Sequence, residues 1–298
     1  MNDEEQVRRL LEDAGPRPEV PPEDLARIKA AFRAEWKEHI RRRRSPDRRL
    51  WLLAASILLA AGLGWWLWPA PAVPVARFER ASGPAAEVLS AAELSAGESP
   101  VGLRLAAGPS LRLDAGSQVR LVSASVIELR HGAVYLDSEG AAKVEIRTPL
   151  GVVTDVGTQF EARLLGKGEA LRVRVREGAV RVGPHKAEAG TELTLRADGT
   201  VVRGPIAAYG PPWAWVLKAA PPLVIEGLTL EQFLDRIARE TGWTVRYEDP
   251  GLAQSAGTIV LHGDIGDLPP DQAPEVVLPG AGLDHRLADG VLILRAAN

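Results

Sequence analysis

The run from Trp51 to Trp68 contains eighteen residues and no charged side chain. A helix that crosses the apolar core of a bilayer, about 30 Å thick, needs about 20 apolar residues. A cleaved signal peptide would instead have a core of about 7–15 residues after a short basic segment. A buried helix of a soluble domain would show a polar face, whereas this run offers little beyond Ser56. The run therefore predicts one transmembrane helix at 51–68.

The charges beside this run predict its orientation, because cytoplasmic loops carry an excess of Lys and Arg. The segment just before the run has one acid, Asp47, and six arginines: Arg41, Arg42, Arg43, Arg44, Arg48 and Arg49. We expect a bacterial inner-membrane protein with a cytoplasmic N-terminus and a periplasmic C-terminus. Small residues at steps of four allow close approach of two such helices, which predicts a homodimer through Ser56, Ala60 and Gly64.

Composition narrows the possible functions. The chain has 298 residues, a net charge of −3 and no cysteine. This length leaves room for about two soluble domains, and the net charge argues against nucleic-acid binding. Without cysteine there are no disulfides and no thiolate chemistry. The five histidines lack the spacing of a metal site, and no serine lies in a nucleophile elbow. The sequence therefore predicts neither an enzyme nor a cofactor.

Residues 1–50 are predicted to form a short α-helical segment. One amphipathic helix is indicated over residues 4–13, and a second follows Pro21 and Pro22, with acidic residues in its first turn. The apolar stripe of the second helix is Leu25, Ile28, Phe32, Trp36 and Ile40. Two interpretations stay open. The helices could form a weak hairpin or lie on a membrane surface, or the stripe could dock into a groove on a partner protein.

Residues 77–198 alternate apolar and polar side chains with a period of two, between glycine turns. This pattern predicts an all-β domain of stacked antiparallel sheets, with one face buried and the other in water. One strand shows it clearly, because Leu171, Val173 and Val175 alternate with arginines. The five residues at 130–134 resemble those at 176–180, which suggests two similar strand–turn–strand layers.

Four segments of this domain resemble FecR-type proteins in order and spacing. They begin Leu111-Arg112-Leu113-Asp114-Ala115-Gly116-Ser117, Arg130-His131-Gly132-Ala133-Val134-Tyr135, Thr148-Pro149-Leu150-Gly151-Val152-Val153-Thr154-Asp155-Val156-Gly157-Thr158-Gln159-Phe160 and Val173-Arg174-Val175-Arg176-Glu177-Gly178. Residues 1–50 also resemble the cytoplasmic segment of one FecR-type branch. The resemblance implies a transmembrane sensor that regulates a sigma factor.

Residues 216–298 are predicted to form a small α+β domain, with linkers at 69–76 and 199–215. Thr229 and Gln232 fit a capping box at the start of a helix that ends at Gly242. A second round runs from Thr258 to Leu294, with a short helix bracketed by prolines, so the domain is read as a βαβ unit repeated about twice. It resembles the short N-terminal domain of secretins and TonB-dependent receptors.

The resemblance also points to one reactive bond. Some FecR-type sensors cleave themselves at a Gly–Thr pair that matches Gly157-Thr158. A threonine hydroxyl can attack the preceding carbonyl, and the resulting ester is opened by water. The alternative is that Gly157 marks a bulge and Thr158 is an ordinary strand residue.

Taken together, the sequence predicts a single-pass inner-membrane signal transducer. The resemblance implies two partners: the signalling domain of a TonB-dependent outer-membrane receptor outside, and an extracytoplasmic-function sigma factor held inside by Leu25, Ile28, Phe32 and Trp36. Two other functions remain open. The chain could be a structural envelope scaffold, for which residues 1–50 would be dispensable, or a periplasmic sensor whose β domain binds a small ligand itself.

Overall fold

The structure is a computed structural model. It describes residues 8, 21–42, 73–79, 87–138, 140, 143–155, 157–166 and 168–297, without the side chains of residues 38–42. The chain divides into two compact units, residues 1–70 and residues 71–298.

The first unit contains the helix expected after Pro21. This helix, α1, spans Pro22–Arg42 and has Glu23 and Asp24 in its first turn, where acidic side chains complement the helix dipole. Its apolar stripe is exposed, because Ile28, Phe32 and Trp36 are each more than 60 % exposed (62 %, 67 % and 61 %). The helix predicted at 4–13 lies outside the described residues apart from the helical Arg8.

The prediction of a transmembrane helix is corrected. None of the helices that the structure describes is both long enough and apolar enough to cross a membrane. The longest of them, α1, has 21 residues but carries Lys, Arg and Glu along much of its length. The run 51–68 lies outside the described residues. The described residues form α1 in the first unit and a second unit made mostly of β-sheet.

The second unit begins with a β domain, residues 74–205, built from two sheets. The strands of this domain are β1 Pro74–Phe78, β2 Glu87–Leu89, β3 Ala92–Ser95, β4 Val101–Leu105, β5 Ser110–Leu113, β6 Gln118–Ser123, β7 Val126–His131, β8 Ala133–Asp137, β9 Glu145–Thr148, β10 Gly151–Asp155, β11 Gln159–Leu165, β12 Ala170–Glu177, β13 Ala179–Val182, β14 His185–Glu188, β15 Thr191–Arg196 and β16 Val201–Pro205. The large sheet has nine strands in the order β16-β15-β12-β11-β8-β5-β4-β1-β2, and the small sheet has seven in the order β14-β13-β10-β9-β7-β6-β3.

Pairing in both sheets is antiparallel except between β7 and β9, which run parallel. One apolar core contains residues from both sheets, such as Leu136 and Val173 from the large sheet and Ile127 and Val153 from the small one. The period-two alternation therefore correctly predicts which side chains face the core. Parts of both predicted linkers lie in strands, since Pro74–Phe78 is β1 and Val201–Pro205 is β16.

The chain passes between the two sheets at tight corners. Gly132 joins β7 to β8 and Gly178 joins β12 to β13, with φ of 81° and 75°. A Cβ at Gly132 would overlap Ser117 Oγ, and one at Gly178 would lie 2.6 Å from the carbonyl oxygen of Gly157. Glycine is required at both corners because the backbone is left-handed and closely approached. The similar segments at 130–134 and 176–180 therefore each contain a glycine corner between the two sheets.

The rest of the second unit, residues 206–297, is the C-terminal module. A 3₁₀ turn, Pro211–Trp213, leads into α2 Ala214–Lys218. The following elements are α3 Leu230–Thr241, β17 Thr244–Tyr247, α4 Pro250–Ala256, α5 Ala273–Gly280, β18 Leu283–Ala288 and β19 Val291–Ala296. The three strands form one sheet in the order β17-β19-β18, with β17 and β19 parallel and β18 and β19 antiparallel.

Local predictions for this module are confirmed, but the regular βαβ repeat is wrong. The capping box at Thr229 and Gln232 is formed, and Gly242 caps α3 in the left-handed region. The strand expected at 223–225 is absent from the described ladders, and Thr258–Leu261 contributes a single bridge between Val260 and Thr229. The second helix is short, as the prolines require, yet it is followed by a hairpin. Short apolar runs do not by themselves distinguish paired strands from buried extended segments.

Candidate functional site

The Gly157–Thr158 pair lies at the corner where the chain passes from β10 in the small sheet to β11 in the large one. Gly157 has φ of 73°, in the left-handed region. Thr158 is 2 % exposed and lies just outside the ladder, because β11 begins at Gln159. The register shift in this region falls between Gln159 and Phe160. The pair therefore lies at a tight turn, with Thr158 buried and Gly157 exposed.

Two side chains hold Thr158 in this corner. The Thr158 hydroxyl donates a hydrogen bond to the carboxylate of Asp155, the last residue of β10. Ser138 Oγ accepts from the Thr158 N–H at 2.7 Å and donates to the Thr158 carbonyl at 3.1 Å. The Ser138 N–H donates to the same carbonyl, also at 3.1 Å. A hydroxyl next to a carboxylate that can accept its proton is the arrangement that activates a nucleophile.

The outer face of the large sheet beside this corner is buried and polar. Cross-strand pairing aligns one row of side chains from β5 to β15: Arg112, Tyr135, Glu161, Arg174 and Glu192. Arg112 is 1 % exposed and Glu161 is fully buried. The C-terminal module contributes the covering groups, namely Trp213, Trp215, the Val216 carbonyl and the end of α3. The face predicted to be in water is thus an interface within the second unit.

Arg112 joins this face to α3. Its Nη2 lies 2.7 Å from Oε2 of Glu240, and its Nη1 donates to the Val216 carbonyl at 3.1 Å. Burial alone would lower the pKa of Arg112, but the Glu240 carboxylate raises it above its usual value. Arg112 therefore stays charged at any physiological pH.

Arg176 and two aromatic rings form the centre of the interface. The Arg176 guanidinium lies 4.4 Å from the Trp213 ring centroid and 5.5 Å from that of Tyr135, within cation–π range. Its Nη1 donates to Tyr135 Oη at 3.2 Å and to the Glu240 carbonyl at 2.9 Å. Burial raises the pKa of Tyr135 to about 12, although Arg176 and Arg112 act against that shift.

Glu161 organises the neighbouring part of the face. Its carboxylate accepts hydrogen bonds from Trp215 Nε1 at 2.8 Å and from Arg172 Nη2 at 3.0 Å, and it lies near Arg163. Burial would raise the pKa of Glu161, but Arg163 and these donors hold it below its usual value. Trp215 is thereby fixed to the β domain by a charge-assisted hydrogen bond.

The family model described as "FecR protein" matches residues 93–181. The chain therefore contains a FecR domain. All four sequence segments that carried the resemblance lie inside the matched range, so the recognition is confirmed.

Two crystal structures of a candidate anti-sigma factor from Parabacteroides distasonis ATCC 8503 also align with the chain. Each has a TM-score of 0.36 and 14 % sequence identity over 70 % of this chain, and the alignments cover 100 % and 99 % of those chains. A likeness of this strength does not establish a shared fold. No curated protein matches the sequence at a significant level.

The structure places the other predicted site residues of this chain in different ways. Leu25, Ile28, Phe32 and Trp36 share one exposed face of α1, with the rings of Phe32 and Trp36 6.5 Å apart. The helix-pairing set Ser56, Ala60 and Gly64 lies outside the described residues, as do Arg43, Arg44, Arg48 and Arg49. Arg41 and Arg42 end α1, and their side chains are not described. The residues that the structure describes include no cluster of three metal-ligating side chains.

Sequence reasoning missed the buried interface. Arg112 and Arg176 sit at alternating positions that predict a wet face, and the sequence did not single out Glu161. The available signal was the Trp213-Ala214-Trp215 tripeptide, because two closely spaced tryptophans need an apolar or cationic surface to cover.

The C-terminal module also contains an open groove of about 560 Å³, bounded by residues 259–265 and α5. Val260 and Val276 on its wall are 48 % and 56 % exposed. Val260 has its one described bridge to Thr229, which leaves the other side of this extended segment without a paired strand in the described chain.

Proposed function

We propose that this FecR-domain protein regulates an extracytoplasmic-function sigma factor through the exposed stripe of α1. The observation that carries the proposal is the stripe itself. Leu25, Ile28, Phe32 and Trp36 recur at steps of three and four and are 43–67 % exposed. The FecR domain supports a role in sensing.

An exposed stripe of this kind favours a protein partner. Helix-in-groove recognition uses apolar anchors at such spacing, and tryptophan and other large aromatic side chains are enriched among the residues that dominate binding energy. The opposite face of α1 at Ala30 and Ala34 is small and offers no comparable anchor. A purely structural scaffold would not require an exposed apolar stripe on α1.

Co-purification tests the proposal. The full chain is co-expressed with each extracytoplasmic-function sigma factor of its host, as wild type, Phe32→Asp and Ala34→Asp. The two variants introduce the same charge into α1, on the stripe and on the opposite face. We expect one sigma factor to be retained by wild type and Ala34→Asp, and at least tenfold less by Phe32→Asp. Retention of no sigma factor by the wild type would contradict the proposal.

We further propose that the C-terminal module receives the signalling domain of a TonB-dependent receptor in the groove beside Val260. An extended segment with one free side can accept an added strand, with side-chain specificity from the groove wall. Val260→Asp should abolish co-purification of that domain, whereas Leu287→Asp, at a residue of similar exposure (47 % against 48 %), should leave it unchanged. Equal binding by both variants would exclude this groove.

The location that accompanies this function is the bacterial envelope, with residues 1–50 in the cytoplasm and residues 77–298 in the periplasm. The arginine excess before residue 50 and the absence of cysteine support it. Alkaline phosphatase fused after residue 298 should be active, and the same enzyme fused before residue 1 should be inactive. Activity of the N-terminal fusion would contradict this location.

A second proposal concerns the Gly157–Thr158 bond, which we infer is cleaved by the chain itself. The observation in its favour is the hydrogen bond from the Thr158 hydroxyl to the Asp155 carboxylate. Asp155 takes the hydroxyl proton as Thr158 Oγ1 bonds to the carbonyl carbon of Gly157. The C–N bond then breaks, and the proton passes to the Thr158 nitrogen, giving an ester. Water hydrolyses the ester to a Gly157 carboxylate and a free Thr158 amine with its hydroxyl restored.

Electrophoresis of the purified full chain tests this second proposal. Wild type should give two fragments, and the shorter one should begin at Thr158 on N-terminal sequencing. Thr158→Ala removes the nucleophile and should remain intact, whereas Thr158→Ser should still cleave. The matched control is Thr148→Ala, a threonine outside the corner. One intact wild-type band, identical to that of Thr158→Ala, would exclude self-cleavage.

A further inference from the structure

Arg239, near the end of α3 in the C-terminal module, contacts the β domain at three places around the Gly157–Thr158 corner. Its Nε donates to Asp137 Oδ2 at 3.1 Å, and its Nη2 donates to the other oxygen of the same carboxylate. Its backbone carbonyl accepts from Gln159 Nε2 at 3.3 Å. Its Nη1 lies 3.6 Å from Glu177 Oε2.

Each residue that Arg239 contacts is next in sequence to a residue that shapes the corner. Asp137 precedes Ser138, which binds the N–H and carbonyl of Thr158. Gln159 follows Thr158 directly. Glu177 precedes Gly178, whose α-carbon packs so closely on the corner that a Cβ there would lie 2.7 Å from Thr158 Cγ2. One residue of the C-terminal module, Arg239, therefore contacts the sequence neighbours of Ser138, Thr158 and Gly178 through its side chain and its backbone carbonyl.

Burial strengthens the contacts that Arg239 makes with Asp137 and Gln159. Asp137 and Gln159 are each 2 % exposed, and Gln159 Nε2 also donates to Asp137 Oδ2 at 2.9 Å. A bidentate arginine–carboxylate pair fixes orientation as well as distance, and a buried carboxylate is costly without its cation. Loss of Arg239 would remove the cation that orients the Asp137 carboxylate, and Ser138 is the next residue along the chain.

We propose that Arg239 is the positioning residue of the Gly157–Thr158 corner, so that docking of the C-terminal module holds this bond in its reactive arrangement. The cleavage part of this inference rests on the self-cleavage proposed above. A module that is docked keeps Ser138 and Thr158 paired and the Thr158 hydroxyl on Asp155. A partner that draws α3 away from the β domain releases Asp137, Gln159 and Glu177 together. Arg239 couples the two regions through contiguous contacts rather than by distance alone.

Hydrogen exchange of the full chain tests the positioning role without requiring cleavage. The Thr158→Ala background keeps the backbone groups that Ser138 binds and removes the nucleophile. In that background, Arg239→Gln should speed exchange of the amides of residues 138 and 158 at least tenfold. Asp137→Asn should act in the same way, and the double variant should be no faster than either single one, because Arg239 acts through Asp137.

Two controls separate positioning from general loosening. Arg236→Gln changes an arginine one turn earlier in α3 for which the described residues provide no hydrogen bond or ion pair, so exchange at the corner should not change. Thr229→Ala weakens the far end of α3 and leaves the corner contacts intact. If Thr229→Ala or Arg236→Gln matches Arg239→Gln at residues 138 and 158, the positioning role is overturned.

Cleavage is the second measurement, made with Thr158 restored. Arg239→Gln should slow appearance of the two fragments at least tenfold, and Arg236→Gln should not. Cleavage at an unchanged rate in Arg239→Gln would overturn the coupling. If the wild type never cleaves, only the self-cleavage proposal is excluded. The exchange results then decide the positioning role.

Discussion

Arg112 and Glu240 form an ion pair between the β domain and the C-terminal module, with Arg112 Nη2 2.7 Å from Glu240 Oε2. The two residues lie 128 positions apart in the chain. The Arg112 side chain is 1 % exposed and that of Glu240 is 12 % exposed, so water contributes little to the stability of either charge. The β domain and the C-terminal module are therefore joined by a buried pair in which each charge depends on the other.

Replacement of one partner should destabilise the second unit strongly. Removing one charge of a buried pair costs about 3–5 kcal/mol, because the other charge stays buried. We expect Arg112→Met to lower the free energy of unfolding by that amount, measured by urea titration of the full chain. The matched control is Arg120→Met, since Arg120 and Glu128 are 3.8 Å apart and 40 % and 31 % exposed; exposed pairs contribute about 0–1 kcal/mol. Equal losses in the two variants would contradict a stabilising role for the buried pair.

The position of this pair shows where sequence reasoning succeeds and where it ends. Alternation predicted that Val173 and Val175 share one face with the core, which the structure confirms. It also put Arg172, Arg174 and Arg176 on one opposite face, which is correct, but this face was assigned to water. Period two reports which side chains share a face, and it carries no information on a segment tens of residues away that covers that face.

The same reason explains the pattern of success in the C-terminal module. The capping box of α3 and its glycine cap depend on neighbours within four residues, and the sequence shows them directly. Whether Leu223-Val224-Ile225 joins a sheet depends on a distant partner strand, and the described chain provides none for it. The Thr158 hydroxyl could be selected from a family resemblance, whereas its contacts with Ser138 and Asp155 needed the corner to be folded.

The corner itself predicts a sharp difference between two glycines that both have positive φ. Gly178 has φ of 75° and no room for a Cβ, whereas Gly183, in the β13–β14 turn, has φ of 57° and no atom within 4 Å of a Cβ position. An L-residue in the left-handed region costs about 1–3 kcal/mol. Gly183→Ala should show that cost alone, and Gly178→Ala should add a steric overlap with Gly157.

Thermal unfolding followed by circular dichroism checks this difference. We expect the melting temperature of Gly178→Ala to fall below that of Gly183→Ala, with both below wild type. If the two variants melt together, the contact between the Gly178 and Gly157 corners does not restrict the chain as described.

The capping box gives a smaller and more local prediction. Thr229 Oγ1 accepts from the Gln232 N–H at 3.2 Å, and the Thr229 N–H donates to Gln232 Oε1 at 3.0 Å. Thr229→Ala should lower the free energy of unfolding by about 1 kcal/mol, which is typical for loss of an N-cap. Thr229→Ser keeps the hydroxyl and should recover most of that loss in the same urea titration; a loss as large as that of the alanine variant would rule out capping as its cause.

The buried tyrosine predicts how stability changes at alkaline pH. Burial raises the pKa of Tyr135 to about 12 in the folded chain, against about 10 in an unfolded chain. Between these values the unfolded state binds fewer protons than the folded state, so stability falls as pH rises. The fall attributable to Tyr135 is about 1.4 kcal/mol per pH unit above pH 10, and it is absent below the unfolded value.

Urea titrations at pH 8, 10 and 11 measure this effect as a difference between variants. Tyr135→Phe loses the hydrogen bond from Arg176 Nη1 and should be less stable than wild type at pH 8 by about 1 kcal/mol. That deficit should shrink or reverse by pH 11, because the variant has no phenol to ionise. Tyr209→Phe is the control and should run parallel to wild type. A Tyr135→Phe curve that also stays parallel to wild type would show that the phenol of Tyr135 ionises equally in the folded and unfolded chains.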